Sequence, residues 1–83
     1  MIRFSLTEKQ VAFLKEMFPS EEIVQRVLHS KKGVDFLIDV DTKIDFMEFL
    51  EDAAVDFMDE NQEATLETKK IEELRDSIYY QTN

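Results

Sequence analysis

Hydrophobic residues recur at helical spacing from about residue 8 to residue 18, which predicts a first helix there. Its apolar side chains fall on one side when residues are placed at about 100° per position. Thr7 and Gln10 have the spacing of a capping box, and this places the start of the helix next to Thr7. Pro19 disfavours helical geometry at the residue before it, so the helix should end at Phe18.

A second helix is predicted from Ser20, acting as its cap, to the sequence HSKKG at residues 29–33. Glu21 and Glu22 suit the positive end of a helix dipole. Gly33 is the only glycine in the chain, and it suits the left-handed position just beyond a helix end.

Residues 34–41, VDFLIDVD, are open to two interpretations. Every second residue is apolar, as in a strand, and the sequence IRFSL at residues 2–6 offers a partner strand. Two such short strands would make only a marginal sheet. We therefore favour a short helix or an irregular segment packed under a helical bundle.

The longest helical pattern runs from residue 42 to residue 60. Five carboxylates fall within an arc of about 80° when the residues are placed at about 100° per position. They are Asp45, Glu48, Asp52, Asp56 and Asp59, and we call them the acidic ridge. Apolar residues cover nearly all of the remaining circumference, so this helix should be covered from two or three sides, by its own neighbours or by another chain, and should form the centre of the fold.

A last helix is predicted after the polar residues 61–65, with Thr65 as its cap. Its apolar seam consists of Ile71, Leu74 and Ile78. Tyr79 and Tyr80 end the helix, and Tyr80 projects opposite the seam, so at least one of the two rings should be partly exposed. Because tyrosine is enriched at protein interfaces, these two residues form a second candidate partner-binding surface.

Taken together, the patterns predict an all-α fold in which residues 1–83 form a single helical domain. The expected architecture is a small bundle of four or five helices with the 42–60 helix at its centre. With 43% hydrophobic residues the chain is too apolar to be disordered, although 35% of its residues are charged.

Charge is distributed unevenly along the chain. Residues 1–32, 33–64 and 65–83 carry net charges of +2, −10 and −1, which together give −9. Such an acidic excess repels a phosphate backbone, so we expect no direct nucleic-acid binding. It steers the protein instead toward a basic protein surface, although a charge run of this kind is also typical of a solvated face that only keeps a domain soluble.

The absence of cysteine excludes disulfides, thiolate nucleophiles and thiolate metal sites. The N-terminal sequence MIRFSLTEKQ lacks the apolar core of a secretory signal, and no uncharged run approaches the ~20 residues of a membrane span. We therefore expect a cytoplasmic protein that does not bind membranes and has no cofactor.

An alternative interpretation concerns residues 37–48, which resemble an EF-hand calcium loop when Glu48 is set at its last position. The ligands would be Asp39, Asp41, Asp45 and Glu48. Leu37 at the first ligand position and Thr42 at the glycine position depart from that pattern. Helix capping by Asp41 or Thr42 explains the same residues without a metal.

Residues suited to catalysis are few. The single histidine, His29, lies beside Lys31 and Lys32 near a predicted helix end, where an imidazolium stabilises the dipole. No glycine-rich phosphate loop is present, and the acid pairs of the long helix are expected to be wet. The sequence therefore predicts a protein that is not an enzyme.

The ending LRDSIYYQTN, on a small acidic helical chain, is similar to small uncharacterised proteins of Gram-positive bacteria and their prophages. This resemblance implies a small accessory factor and no particular site.

The leading hypothesis is a non-catalytic protein-interaction module, of inhibitor, immunity or regulatory type, that presents the acidic ridge to a basic partner. A calcium-responsive domain and a homodimer formed through surplus apolar surface on the central helix are the alternatives.

Overall fold

The computed structural model describes residues 1–58 and 65–82, which form four helices and three strands. In chain order the elements are β1 (Ile2–Ser5), α1 (Glu8–Met17), α2 (Glu22–His29), β2 (Lys31–Lys32), β3 (Asp35–Ile38), α3 (Val40–Asp56) and α4 (Leu66–Thr82). The strands make one antiparallel sheet in the order β1-β3-β2. The all-α prediction is therefore wrong, and the fold is mixed α/β.

The paired strands β1 and β3 bury one of their two faces. Phe4 pairs directly with Phe36, and their stacked rings lie 5.4 Å apart on the face that packs into the core. On the other face, Arg3 lies 3.8 Å from Asp35. Because one face of these short strands is buried in the core, the two strands do not have to be stable as an isolated pair. The strand interpretation of this segment, which we did not favour from the sequence, is the correct one.

The turn between β2 and β3 explains why the single glycine stands at position 33. Lys32 pairs with Asp35, and Gly33 and Val34 form the turn between the two strands. Gly33 has φ +67°, which is the left-handed region that a hairpin turn requires at its first central position. The helix-end role predicted for Gly33 is wrong, because α2 already ends at His29 and is capped by Ser30, whose amide donates to the Val27 carbonyl.

Replacing Gly33 tests this turn. No atom lies within 4 Å of the position that a Cβ would take, so the cost of a substitution is conformational rather than steric. Gly33→Ala should lower the free energy of unfolding by about 1 kcal/mol in a urea titration. Gly33→Asn should recover much of that loss, since asparagine tolerates the left-handed region better. Equal stability of all three proteins would contradict the turn geometry.

The carboxamide of Gln81 in α4 clamps the end of β1. Its Oε1 accepts from the Ser5 backbone amide at 2.7 Å, and its Nε2 donates to the Ser5 carbonyl at 2.9 Å. Both backbone groups of Ser5 point away from β3, so the side chain replaces a neighbouring strand at this point. The contact joins residues far apart in the sequence and fixes the last helix beside the first strand.

Loss of this clamp should be visible in amide hydrogen exchange. In Gln81→Ala the Ser5 amide should exchange at least about tenfold faster, because its bond to the carboxamide is lost. The Phe4 amide, which belongs to the β1–β3 ladder, serves as the internal control. Unchanged exchange at Ser5 would show that Gln81 does not protect it.

Local capping signals place the helices with mixed success. The Thr7–Gln10 capping box of α1 is present, with bonds of 3.1 and 2.9 Å. Thr65 caps α4 as predicted, accepting from the Thr68 amide at 3.2 Å. Its hydroxyl also donates to the Phe57 carbonyl at 2.7 Å and so joins the end of α3 to the start of α4. Ser20 is not the cap of α2, which begins after Glu21 without a side-chain bond.

The long helix begins earlier than predicted, at Val40, because Asp39 rather than Asp41 or Thr42 is its cap. It ends at Asp56, and the predicted continuation through residues 59 and 60 lies outside the described residues. Five residues of α3 face the core: Thr42, Phe46, Leu50, Ala53 and Ala54.

Two neighbours cover α3. The predicted seam of α4 is fully buried: Ile71, Leu74 and Ile78. The buried Thr68 hydroxyl donates to the Ala54 carbonyl at 3.1 Å and adds a polar tie between α3 and α4. On the other flank, the Phe18 ring packs edge-on against Phe49 at 5.0 Å. Across the described residues, none of the helices is long and apolar enough to cross a membrane.

Candidate functional site

The acidic ridge lies on the uncovered side of α3. The core-facing residues of this helix occupy an arc of about 120°, and the ridge lies on the opposite side. Asp45, Glu48, Asp52 and Asp56 are all exposed. Asp59, the fifth predicted member, lies outside the described residues.

The carboxylates of α3 are all exposed to water. Among residues 1–58 and 65–82, the ion pairs join Arg3 to Asp35, Arg26 to Glu22 and Arg75 to Asp76, and none includes a carboxylate of α3. Lys43, the single base of α3, is half-buried and projects about 180° from Asp52. The negative charge of the ridge is therefore not neutralised by its own helix.

An uncovered apolar strip runs along α3 beside the ridge, and we define it as Val40, Ile44, Met47 and Val55. Val40, Ile44 and Val55 are 59%, 49% and 62% exposed, and Met47 is half-buried. These positions fall within an arc of about 80° at about 100° per residue. Exposed aliphatic side chains aligned on one helix face are typical of an interaction surface.

A groove of about 330 Å³ lies where the strip meets α4. It is lined by Met47, Glu51, Arg75, Asp76, Tyr79 and Tyr80. Tyr79 and Tyr80 are 53% and 80% exposed, which confirms the predicted exposure, and their rings meet edge-on at 6.0 Å. The structure thus brings the tyrosines next to α3, joining two surfaces that the sequence analysis treated separately.

A larger groove, of about 490 Å³, lies between α1 and α4. Its walls carry both Lys9 and Glu16, and the Lys70 ammonium lies 5.6 Å from the centre of the Phe13 ring. Because its two bases, Lys9 and Lys70, are balanced by two acids, Glu16 and Glu73, this groove offers no charge preference for a partner. The α3–α4 surface carries a strong one and is the better candidate site.

The residues proposed as calcium ligands do not form a loop. Asp39 caps α3 through a 3.3 Å bond from the Thr42 amide, and residues 40–48 are helical. Asp41, Asp45 and Glu48 are therefore spaced along a helix instead of surrounding a common point. In the described part of the chain, no group of three or more histidine, cysteine, aspartate or glutamate side chains is placed to hold a metal ion.

Sequence reasoning missed the apolar strip and Glu51. The pattern showed that apolar residues cover most of the circumference of α3 and predicted that its own neighbours or another chain would cover them, but it did not show which of these residues stay exposed. The signal that could have found the strip is the spacing of residues 40, 44, 47, 51 and 55, which follows one helix face.

Hydrogen bonds at the start of α3 favour the ionised form of its capping residue, Asp39. Bonds from Thr42, first from its side chain and then from its backbone amide, hold the pKa of Asp39 below its ordinary value. The ionised carboxylate is therefore favoured in the folded protein. Its stabilising contribution is present above the ordinary aspartate pKa and is lost as the pH falls through the lowered value.

This shift can be measured directly. In a carboxyl-carbon NMR titration, Asp39 should show a pKa below that of an aspartate in an unfolded chain. Thr42→Val removes the hydroxyl and should raise the pKa of Asp39 toward its ordinary value. Thr82→Val, in α4, is the matched control and should leave it unchanged. An unshifted Asp39 in the wild-type protein would contradict the proposed cap.

Comparisons with known proteins found no relative: the chain matches no family model, no curated protein and no solved structure.

Proposed function

We propose that the protein is a non-catalytic interaction module that binds a basic surface of another protein through the exposed face of α3. The observation that carries this proposal is the row of exposed carboxylates on one side of that helix: Asp45, Glu48, Asp52 and Asp56.

The geometry of the row suits charge recognition. From Asp45 to Asp56 the carboxylates extend for about 16 Å at ~1.5 Å per residue. Their fields add, so a basic surface is attracted over a distance comparable to the ~8 Å screening length of physiological salt. Exposed carboxylates of this kind raise association rates and select partners of opposite charge.

The charge also indicates which partners are disfavoured. A net charge of −9 repels nucleic acid, so the proposed partner is a protein. A basic protein groove is a suitable target, and inhibition of such a groove, immunity to it or its regulation are the roles we favour. A chain without cysteine folds equally well in a reducing compartment, and the cytoplasm is the proposed location.

Charge reversal on α3 tests the proposal. The protein is immobilised and used to capture its partner from a lysate of the source organism at low and high salt. Asp52→Lys combined with Asp56→Lys should weaken capture of a basic protein by at least about tenfold, because like charges would then meet at the interface. High salt should weaken capture by the wild-type protein as well.

A matched control separates local charge from net charge. Glu16→Lys combined with Glu73→Lys produces the same change in net charge at two exposed positions of α1 and α4. This variant should capture the partner nearly as well as the wild-type protein. A partner retained equally by both double variants would remove the α3 carboxylates from the proposed function.

A further inference from the structure

We propose that the apolar strip of α3, together with the tyrosines at the end of α4, receives a basic amphipathic helix of the partner protein. This inference rests on the proposed function and specifies the structural element that the partner presents. The observations that support it are the apolar strip and the α3 carboxylates beside it. A row of carboxylates alone would fit any basic surface.

The spacing of the strip fits a helix. The four strip residues and Glu51, which lies between Met47 and Val55 on the same face, recur at intervals of three and four, the pattern by which two helices pack side by side along a shared seam. From Val40 to Val55 the strip extends for about 22 Å, or about four helical turns. An incoming helix of about 15 residues would cover it from end to end.

The apolar side chains are available for such packing. Val40, Ile44 and Val55 are each about half exposed or more in the folded chain. Met47 forms the floor of the α3–α4 groove, and its flexible thioether adapts to differently shaped partners. Apolar residues of the incoming helix would cover these side chains and remove them from water, as in other complexes in which a helix binds in a groove.

Carboxylates of α3 specify a basic helix. Glu48 and Asp52 follow one border of the strip. Glu51 lies within the strip, where it faces the groove. Among the described residues that line the groove, Arg75 pairs with Asp76 at 3.3 Å, so these two charges offset each other. Lysine or arginine residues beside the apolar stripe of a bound helix would therefore meet Glu48, Glu51 and Asp52.

The tyrosines of the groove provide a place for one of those bases. Tyr79 and Tyr80 present two exposed rings at right angles, and Glu51 lines the same groove. A lysine or arginine side chain can stack its alkyl part on a ring while its charge lies in the same groove as the Glu51 carboxylate.

A second copy of the chain is a poor occupant of the same groove. Residues 47 and 48 lie midway along the length of the strip, with Glu48 on its border. A two-fold interface along the strip would therefore bring two copies of Glu48 together. The acidic ridge runs the whole length of the strip, so carboxylates would also face carboxylates along the interface. The charge of the surface therefore favours a basic helix over a homodimer.

Three synthetic peptides of about 18 residues test the inference. The first has leucine at intervals of three and four, flanked by lysine; the second has the same composition with the leucines spread around the helix; the third has glutamate in place of lysine. We expect the first peptide to bind the full chain at least about tenfold more tightly than the second, and the third not to bind. Methyl shifts in an NMR titration should map to Ile44 and Val55.

Two variants locate the binding surface. Ile44→Ser combined with Val55→Ser should weaken binding of the first peptide by about tenfold or more, because apolar burial is lost. Val34→Ser is the control, since Val34 is 79% exposed in the β2–β3 turn, away from the groove. Unfolding curves that coincide for the three proteins establish that folding is intact.

The outcomes separate this inference from the proposed function. If the first and second peptides bind equally and both are lost in the Asp52→Lys, Asp56→Lys variant, charge recognition stands and the groove inference fails. Binding of none of the peptides, or methyl shifts confined to the α1–α4 groove, also overturns it. A stable dimer in sedimentation that dissociates in the Ile44→Ser, Val55→Ser variant would assign the strip to a second copy instead.

Discussion

The rotation of α3 about its own axis is the constraint on which the rest of the structure depends. The helix buries one arc, centred on Phe46 and Leu50, in the core between α2 and α4. Any other rotation would expose these large side chains and bury carboxylates, each of which is costly to remove from water. Once that arc is buried, the positions of the acidic ridge and of the apolar strip follow from helical geometry.

The helices α2 and α4 hold α3 in that rotation, and the sheet supports α4. Phe4 and Phe36 supply a flat aromatic layer to the core, and α4 joins it to α3 through the Thr68 hydroxyl and its buried seam. The uncovered remainder of α3 is consequently presented on a supported helix rather than on a loop. A binding surface of this kind loses little conformational freedom when a partner docks.

Local features of the fold could be predicted from the sequence only in part. The caps Thr7 and Thr65 follow from the local pattern, whereas Ser20 and Asp41 were wrong as caps, because several nearby residues suit the same position. The pattern also offered residues 2–6 as a partner strand for residues 34–41, but it could not show that one face of so short a pair is buried, which is what makes the β1–β3 ladder stable. The carboxylate row followed from helical periodicity. The strip did not, because periodicity shows how much of a helix is apolar without showing which arc its neighbours leave open.

The two outer strands have a consequence for behaviour in concentrated solution. A sheet edge with free backbone groups can recruit a strand from a neighbouring molecule and begin an aggregate. Here the carboxamide of Gln81 occupies the end of one edge, and the other edge is a two-residue strand made of lysines. Both are recognised deterrents to edge-to-edge growth. The chain leaves aliphatic side chains uncovered on one helix, but the two edges of its sheet are built to disfavour the addition of a further strand.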